Sequence, residues 1–374
     1  MSVDSRIVAT NKYFDTALTL TASSSDADFP VANLRSFTRA KLWRATGNFV
    51  INSTNNKINL KDSGGGSELT ATLASATYTP TTLAAEIKSK IEAVSAHTYT
   101  VTFSTTTGKW TIATNHSFLS LLANTGTNVA TSVWTTIGFT TASDKTGATT
   151  YTGTNVALHT EEWILLDLGS AQAMDSFAIL IDPLMGSQLS GSAVVTLQAN
   201  ATDAWTSPSV SQVLTYDSNY TIYTHYFTSN QSYRYWRIKI VDPNNTSLKT
   251  EIHKAFLGKK IALTRIPEIG FKYSLKSQSK KESTAYGHQY YDIYPIKRFI
   301  DFDLTFFEDA DLQLLEQTYR LNQCHTPVLF CMDSQDEVLD KDQFTIYGYM
   351  KADLTFEHRI IDRFSSQMSI EEGF

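Results

Sequence analysis

The chain has 374 residues, a net charge of −6, 42% hydrophobic residues and only 18% charged ones. At roughly 100–200 residues per domain this means two or three domains with ordinary packed cores, and the abundance of Thr, Ser, Asn and aromatic residues favours strands over helices. The charge lies mainly in residues 263–374, with 19 acidic against 12 basic side chains, which argues against nucleic-acid recognition through a basic face.

No run approaches the ~18 apolar residues of a membrane span. Residues 1–12 show no basic-then-apolar signal pattern. Two cysteines, Cys324 and Cys331, are too few for a disulfide framework. Cys331, in the apolar run 328–332, reads as a buried free thiol. The chain is expected to fold in a reducing bacterial cytoplasm and to leave it inside an assembled particle.

Residues 1–47 read as strand, loop and turn: an alternating 17–22 segment, a Ser/Asp loop at 23–28, then Phe29–Leu34 and Leu42-Trp43-Arg44. Residues 48–156 are rich in Thr, Ser and Asn. Segments 58–60 and 69–73 flank a Gly64-Gly65-Gly66 turn, and 99–103 and 110–113 form a second hairpin near Gly108. Between them, Thr79 and Pro80 open a helix that carries Leu83, Ile87, Ile91 and Val94 on one face. One helix against a few strands makes a small α+β module.

Residues 157–262 return to strands, at 163–169, 176–181, 194–199, 220–227 and 235–240. Strands recurring between turn signals suggest an all-β sandwich. In residues 263–374, the 299–307 segment alternates acid and apolar residues, Glu308-Asp309-Ala310-Asp311 opens a helix to about Leu321, and strands follow at 328–332, 344–350 and 351–356.

Three ordered fragments carry a resemblance. They are Phe29–Leu34 with Trp43-Arg44; Glu162 to Gly169 with its Asp-Leu-Gly; and Tyr235-Trp236-Arg237 through Asn245, followed by Phe256-Leu257-Gly258. Together they resemble the discoidin-like (galactose-binding-like) jelly roll of tailed-phage virion proteins. The chain departs from that pattern at 248–253, where a Gly-rich approach to the last strand is usual. The C-terminal third is similar, in order and architecture, to a distal-tail or baseplate assembly domain.

The resemblance implies a mainly β protein: a discontinuous discoidin-like sandwich (1–47 and 157–262), an inserted Thr-rich α+β domain (48–156) and a C-terminal β-rich tail-assembly domain with one short helix (263–374). It implies a structural component of a bacteriophage tail tip or baseplate, residing in the virion and forming a ring with copies of itself. Its other partners would be tail-tube, hub and fibre proteins, with host surface glycans as a further contact. The alternative is a peripheral carbohydrate-binding, host-adhesion protein of the virion.

Trp43, Trp163 and Trp236 suit a two-sheet core. Arg44 and Arg237 follow tryptophans, so on strands they point to the opposite face. They read as surface stacking or ion pairs with residues such as Asp167, or as anion or sugar contacts.

Catalytic patterns are missing. The eight histidines are scattered, and there is no His-Glu-x-x-His, Gly-x-Ser-x-Gly or P-loop. Asp301 and Asp303 share a strand face about 7 Å apart, a spacing open to glycosidases, yet it is also what any half-exposed strand shows. Glu308, Asp309 and Asp311 cap a helix rather than form a calcium ladder. No enzyme, cofactor or metal is expected. The aromatic stretch with Tyr286, Tyr290, Tyr291 and Tyr294 reads as a subunit interface or a glycan-stacking surface. The preceding Lys276–Lys281 segment reads as an exposed basic arm.

Overall fold

The computed structural model describes residues 6–8, 17–36, 41–104, 107–157, 161–181, 189–214, 220–242, 245, 250–261, 271–277, 279–283, 286, 289–292, 296–322, 325–333, 340, 342–350, 354–361 and 363–373. The protein is mainly β, with two α-helices among the described residues. Cys324 and Tyr294 lie outside these residues.

The sandwich is organised by two long antiparallel strands, Glu162–Leu180 and Ile222–Val241. Each was expected as two separate strands. In the structure each runs continuously from one layer to the other, and register shifts at Asp167/Gln172 and Met174/Ser176 mark the bend. Gly169 sits in that bend at φ +75°, a conformation that costs glycine little because it has no Cβ.

In the first layer, Val194–Asn200 and Thr19–Ala22 pair with the long strands, and Val210–Leu214 pairs with Val194–Asn200. In the second, Lys254–Gly258 does so. Trp43, Trp236, Ile164, Leu166, Phe177, Ile179 and Leu257 fill the space between. The 3-10 turn Val31–Arg35 is an element that the residue pattern does not announce. It is held by the buried Lys254, whose Nζ donates to the carbonyls of Leu34 at 2.7 Å and Ser36 at 2.8 Å. A buried ammonium is tolerable where carbonyls replace its water.

Residues 49–157 supply a second core around Trp110, Trp134, Phe49 and Phe139. The expected helix is present as Pro80–Glu92. Thr79 and Thr82 close a reciprocal capping box, and Leu83, Ile87 and Ile91 are buried. Val94 lies past the helix end and is exposed. The two expected hairpins form as Lys57–Lys61 with Leu69–Thr72 and Tyr99–Ser104 with Lys109–Thr114. Gly108, at φ +63°, turns the second.

The third core lies between a seven-stranded sheet and the helix Asp309–Asn322. Here the structure departs from the expected chain order. The strand Arg6–Val8 pairs with Val328–Cys331, so these three residues join this sheet and not the sandwich. Arg363–Glu372 is central, bonding Ile296–Phe307, Thr345–Met350 and Phe356–Ile360. Of the expected 351–356 strand, 351–353 lie outside the described residues, 354–355 are not in a strand, and the described strand begins at Phe356.

The sandwich and this sheet are packed together. Ala178, Leu180, Ile222, Tyr226 and Phe256 meet Leu329, Cys331 and Tyr347 in a buried cluster. Thr224 donates from N (2.9 Å) and Oγ1 (2.7 Å) to Asp342, and Tyr220 donates to Asp340 at 2.8 Å. Burial pushes the Cys331 thiol up to about 11, so it stays protonated and unreactive at neutral pH.

Candidate functional site

The sandwich has two outer faces, and the packing just described covers part of the second layer's. The first layer's outer face is built by strand alternation. Ile164, Leu166, Leu197, Trp236 and Ile238 point into the core, so their neighbours Trp163, Leu165, Gln198, Arg237 and Lys239 point outward. The register puts Gln198 and Leu165 on either side of Arg237, and Thr196 and Trp163 on either side of Lys239. Tyr235 and Asp167 form the next row.

This face carries three cations with different partners. Arg234 grips Asp167 through two bonds, 2.7 and 2.8 Å, and this pair holds the Asp167 carboxyl below the usual carboxylate range. Lys239 pairs with Glu161 at 2.5 Å. Arg237 is different. Its Nε donates to the Gln198 amide oxygen at 2.8 Å, and its guanidinium lies 4.5 Å from the Trp205 ring centroid. Among the described residues its Nη groups have no acceptor and are not sealed from solvent. Arg237 is only 8% exposed, and burial lowers its pKa. It nevertheless remains a cation, because arginine does not deprotonate in proteins.

Trp205 comes from the loop between Asn200 and Val210, folded back over the sheet. Its indole N–H donates to Asp203 at 2.6 Å, which fixes the ring over Arg237. The result is a patch of planar groups (an indole, a guanidinium and an amide) with Tyr235 and Trp163 beside it. Planar, rigid donors and aromatic faces are suited to a ligand with adjacent hydroxyls and an apolar C–H face.

Arg237 was legible as an outward-facing arginine. Its partner was not Asp167, as the sequence suggested, because Arg234 occupies that carboxylate. Arg44 likewise pairs with Glu251 and stacks on Phe29, 3.9 Å from the ring centroid. Trp205 and Gln198 were missed, since only cross-strand register and the loop's return bring them to Arg237.

The described part of the tyrosine stretch lies on other elements. Tyr286 stands at a turn and is 92% exposed. Tyr290 and Tyr291 lie on Gln289–Asp292, opposite Glu282 and Lys281. Asp301 accepts a hydrogen bond from Ser369 across the sheet.

No family model matches the chain, and no curated protein does. Among solved structures, the chain is similar to a family 32 carbohydrate-binding module from C. perfringens NanJ in complex with galactose. That match has 9% identity, covers 68% of this chain and 98% of that one, and has a TM-score of 0.28. A CBM32 of Clostridium perfringens GH89 in complex with GalNAc-beta-1,3-galactose is 12% identical, over 26% of this chain and 66% of that one, with a TM-score of 0.22. A fucolectin from striped bass (Morone saxatilis) serum is 9% identical, over 59% and 79% of the two chains, with a TM-score of 0.21. Overlaps this low leave the functional weight on the residues themselves.

Proposed function

We propose that this protein is a non-catalytic carbohydrate-binding protein, and that the open face of the first sandwich layer takes the saccharide. The observation that carries the reading is Arg237. Its guanidinium is positioned by Gln198 and Trp205 yet keeps donors with no acceptor among the described residues. A surface arginine with a structural role only would be expected to find a carboxylate, as Arg234 and Arg44 do. A glycan array probed with the full-length protein and with Arg237→Ala tests this. Binding to at least one glycan class that the variant loses is expected, and an array with no arginine-dependent signal would sink it.

A second, compatible reading is a structural role in a phage tail tip or baseplate, within the virion. It rests on the resemblance of the ordered fragments and on one structural feature. The paired strands Phe271–Ser277 and Ile296–Phe307 lead into a further hairpin, Lys280–Ser283 with Gln289–Asp292. Leu275, Ile296 and Tyr286 are exposed along it. Exposed large side chains along a hairpin suit contact with another copy or another tail protein. Closed rings of the purified protein in electron micrographs are the expected outcome; a monomer at high concentration would contradict ring formation. No helix among the described residues is long and apolar enough to cross a membrane.

A further inference from the structure

The three cations on the outer face of the first sandwich layer differ in how their charge is met. Arg234 is matched by Asp167 and Lys239 by Glu161. Elsewhere Arg44, Arg298, Arg320 and Arg363 each hold a carboxylate as well. Arg237 holds none. It feels the charges of Glu161 and Asp203, but Glu161 is bonded to Lys239, and Asp203 accepts from the Trp205 indole. One positive charge, only 8% exposed, is thus left without an anion in contact.

The hydrogen-bonding groups left open at Arg237 and Gln198 are of one kind. The Arg237 Nε–H donates to the Gln198 amide oxygen at 2.8 Å. Because Nε can only donate, this bond also fixes which way the amide faces: its oxygen is engaged and its NH2 group is left over. Among the described residues neither the Arg237 Nη atoms nor the Gln198 Nε2 has a partner, and none of them is sealed from solvent. The pair therefore offers N–H donors alone. With Nε engaged and the Trp205 ring centroid 4.5 Å from Cζ, the edge formed by the two Nη atoms is the part of the guanidinium left for a ligand.

We propose that the sugar taken by this face carries a carboxylate, as a uronic or sialic acid does, and that the two Nη groups of Arg237 bind it side by side, with the Gln198 amide as a neighbouring donor. The inference rests on the reading of this face as a saccharide site and names the class of sugar. An ionised carboxylate only accepts, through two oxygens that match the guanidinium fork. A neutral sugar's hydroxyls accept too, but they leave a nearly buried cation without a counter-charge, which is unfavourable where water is scarce. One open cation balances one negative charge. A phosphate monoester carries more than one, and Glu161 and Asp203 are near enough to oppose the excess.

The test is saturation-transfer NMR on the full-length protein with matched probes. These are the methyl glycosides of glucuronate, galacturonate and N-acetylneuraminate, the carboxamide of each, and the methyl glycosides of glucose and galactose. Glucose 6-phosphate and glucose 6-sulfate are the competing anions. Two variants act on the same charge by opposite routes. Arg237→Gln removes it. Gln198→Glu puts a carboxylate where the amide oxygen already accepts from Nε, so the cation is met from within the protein; this variant keeps the test open if the first does not fold, which thermal melting decides. The expected result is an acidic sugar that binds roughly tenfold or more tightly than its own carboxamide, the scale of one hydrogen bond to a charged group. That advantage is lost in either variant and is not matched by the phosphate or the sulfate. If a carboxamide or a neutral sugar binds as tightly as the acid, the acidic class is refuted, while the saccharide face stands so long as that binding is lost in Arg237→Gln. If the preference for the acid survives in a folded variant, or if the phosphate or sulfate binds more tightly than the carboxylate, the assignment of a carboxylate to Arg237 is overturned. Silence from every probe overturns it as well, and the saccharide face then stands or falls by the glycan array.

Discussion

Glu162 offers a prediction that can be worked from the structure. Its side chain is buried at the start of the long Glu162–Leu180 strand. Burial pushes its pKa up to about 7 from 4.5; hydrogen bonds from Ser23 and Ser24 oppose the rise and the nearby Glu161 adds to it. One carboxyl oxygen, Oε1, has no hydrogen-bond partner, which suits a proton on that atom. The folded state thus holds the proton more tightly than the unfolded chain does. The resulting stabilisation is present in full below pH 4.5 and is lost as the pH rises through about 7. At about 1.4 kcal/mol per pH unit over that interval, its size is about 3 kcal/mol.

Glu162→Gln removes the charge and keeps an oxygen for Ser23 and Ser24. Chemical denaturation of both proteins, followed by tryptophan fluorescence from pH 4.5 to 8.5, should show nearly equal stability at the acid end. At pH 8.5 the glutamine variant should be more stable by up to about 3 kcal/mol. A constant difference between the two proteins across the whole range would refute the reasoning.

Other outcomes follow from the same geometry. Arg237→Ala and Trp205→Ala should each weaken saccharide binding about tenfold, worth about 1.4 kcal/mol in a titration, while circular dichroism is unchanged. Lys254→Met removes the donor from the buried Leu34 carbonyl and from the half-buried Ser36 carbonyl; a loss of about 1–3 kcal/mol for the buried one is the expected scale in denaturation. Ile87→Ala, fully buried in the second core, should cost about 2–5 kcal/mol, read as faster amide exchange in residues 48–156 with the sandwich amides unaffected. We propose that these residues form an inserted unit. Replacing them by a short Gly-Ser linker should therefore leave a folded protein with native-like exchange protection in the remaining strands.

The parts of the fold that were legible are those fixed locally. Thr79-Pro80 followed by Leu83, Ile87 and Ile91 specifies a capped amphipathic helix without outside help. The hairpins around Gly108 and the Gly64 turn are likewise local, and Trp43 and Trp236 do converge on one core, whereas Trp163, expected there too, points to the outer face. What escaped is non-local. Nothing near Arg6–Val8 says that its partner is Val328–Cys331, more than three hundred residues on. Nothing in 163–181 distinguishes two strands from one that bends at Gly169. The site failed for the same reason. Arg237 could be placed on an outer face by alternation, but Gln198 reaches it through cross-strand register and Trp205 through a loop that folds back. The tyrosine stretch drew notice by composition, and Tyr290 and Tyr291 stand on a hairpin strand that pairs with Lys280–Ser283.

The most direct test of the open sandwich face as a saccharide site is ¹⁹F NMR of the full-length protein labelled with 5-fluorotryptophan. It would be titrated with the glycan that gives the strongest array signal, and the resonances assigned by single Trp→Phe variants. The account predicts that the Trp205 resonance moves with saturation and that Trp163 follows it, while Trp110 and Trp134 in the second core stay still. A titration that moves Trp110 or Trp134 and leaves Trp205 unchanged would contradict it.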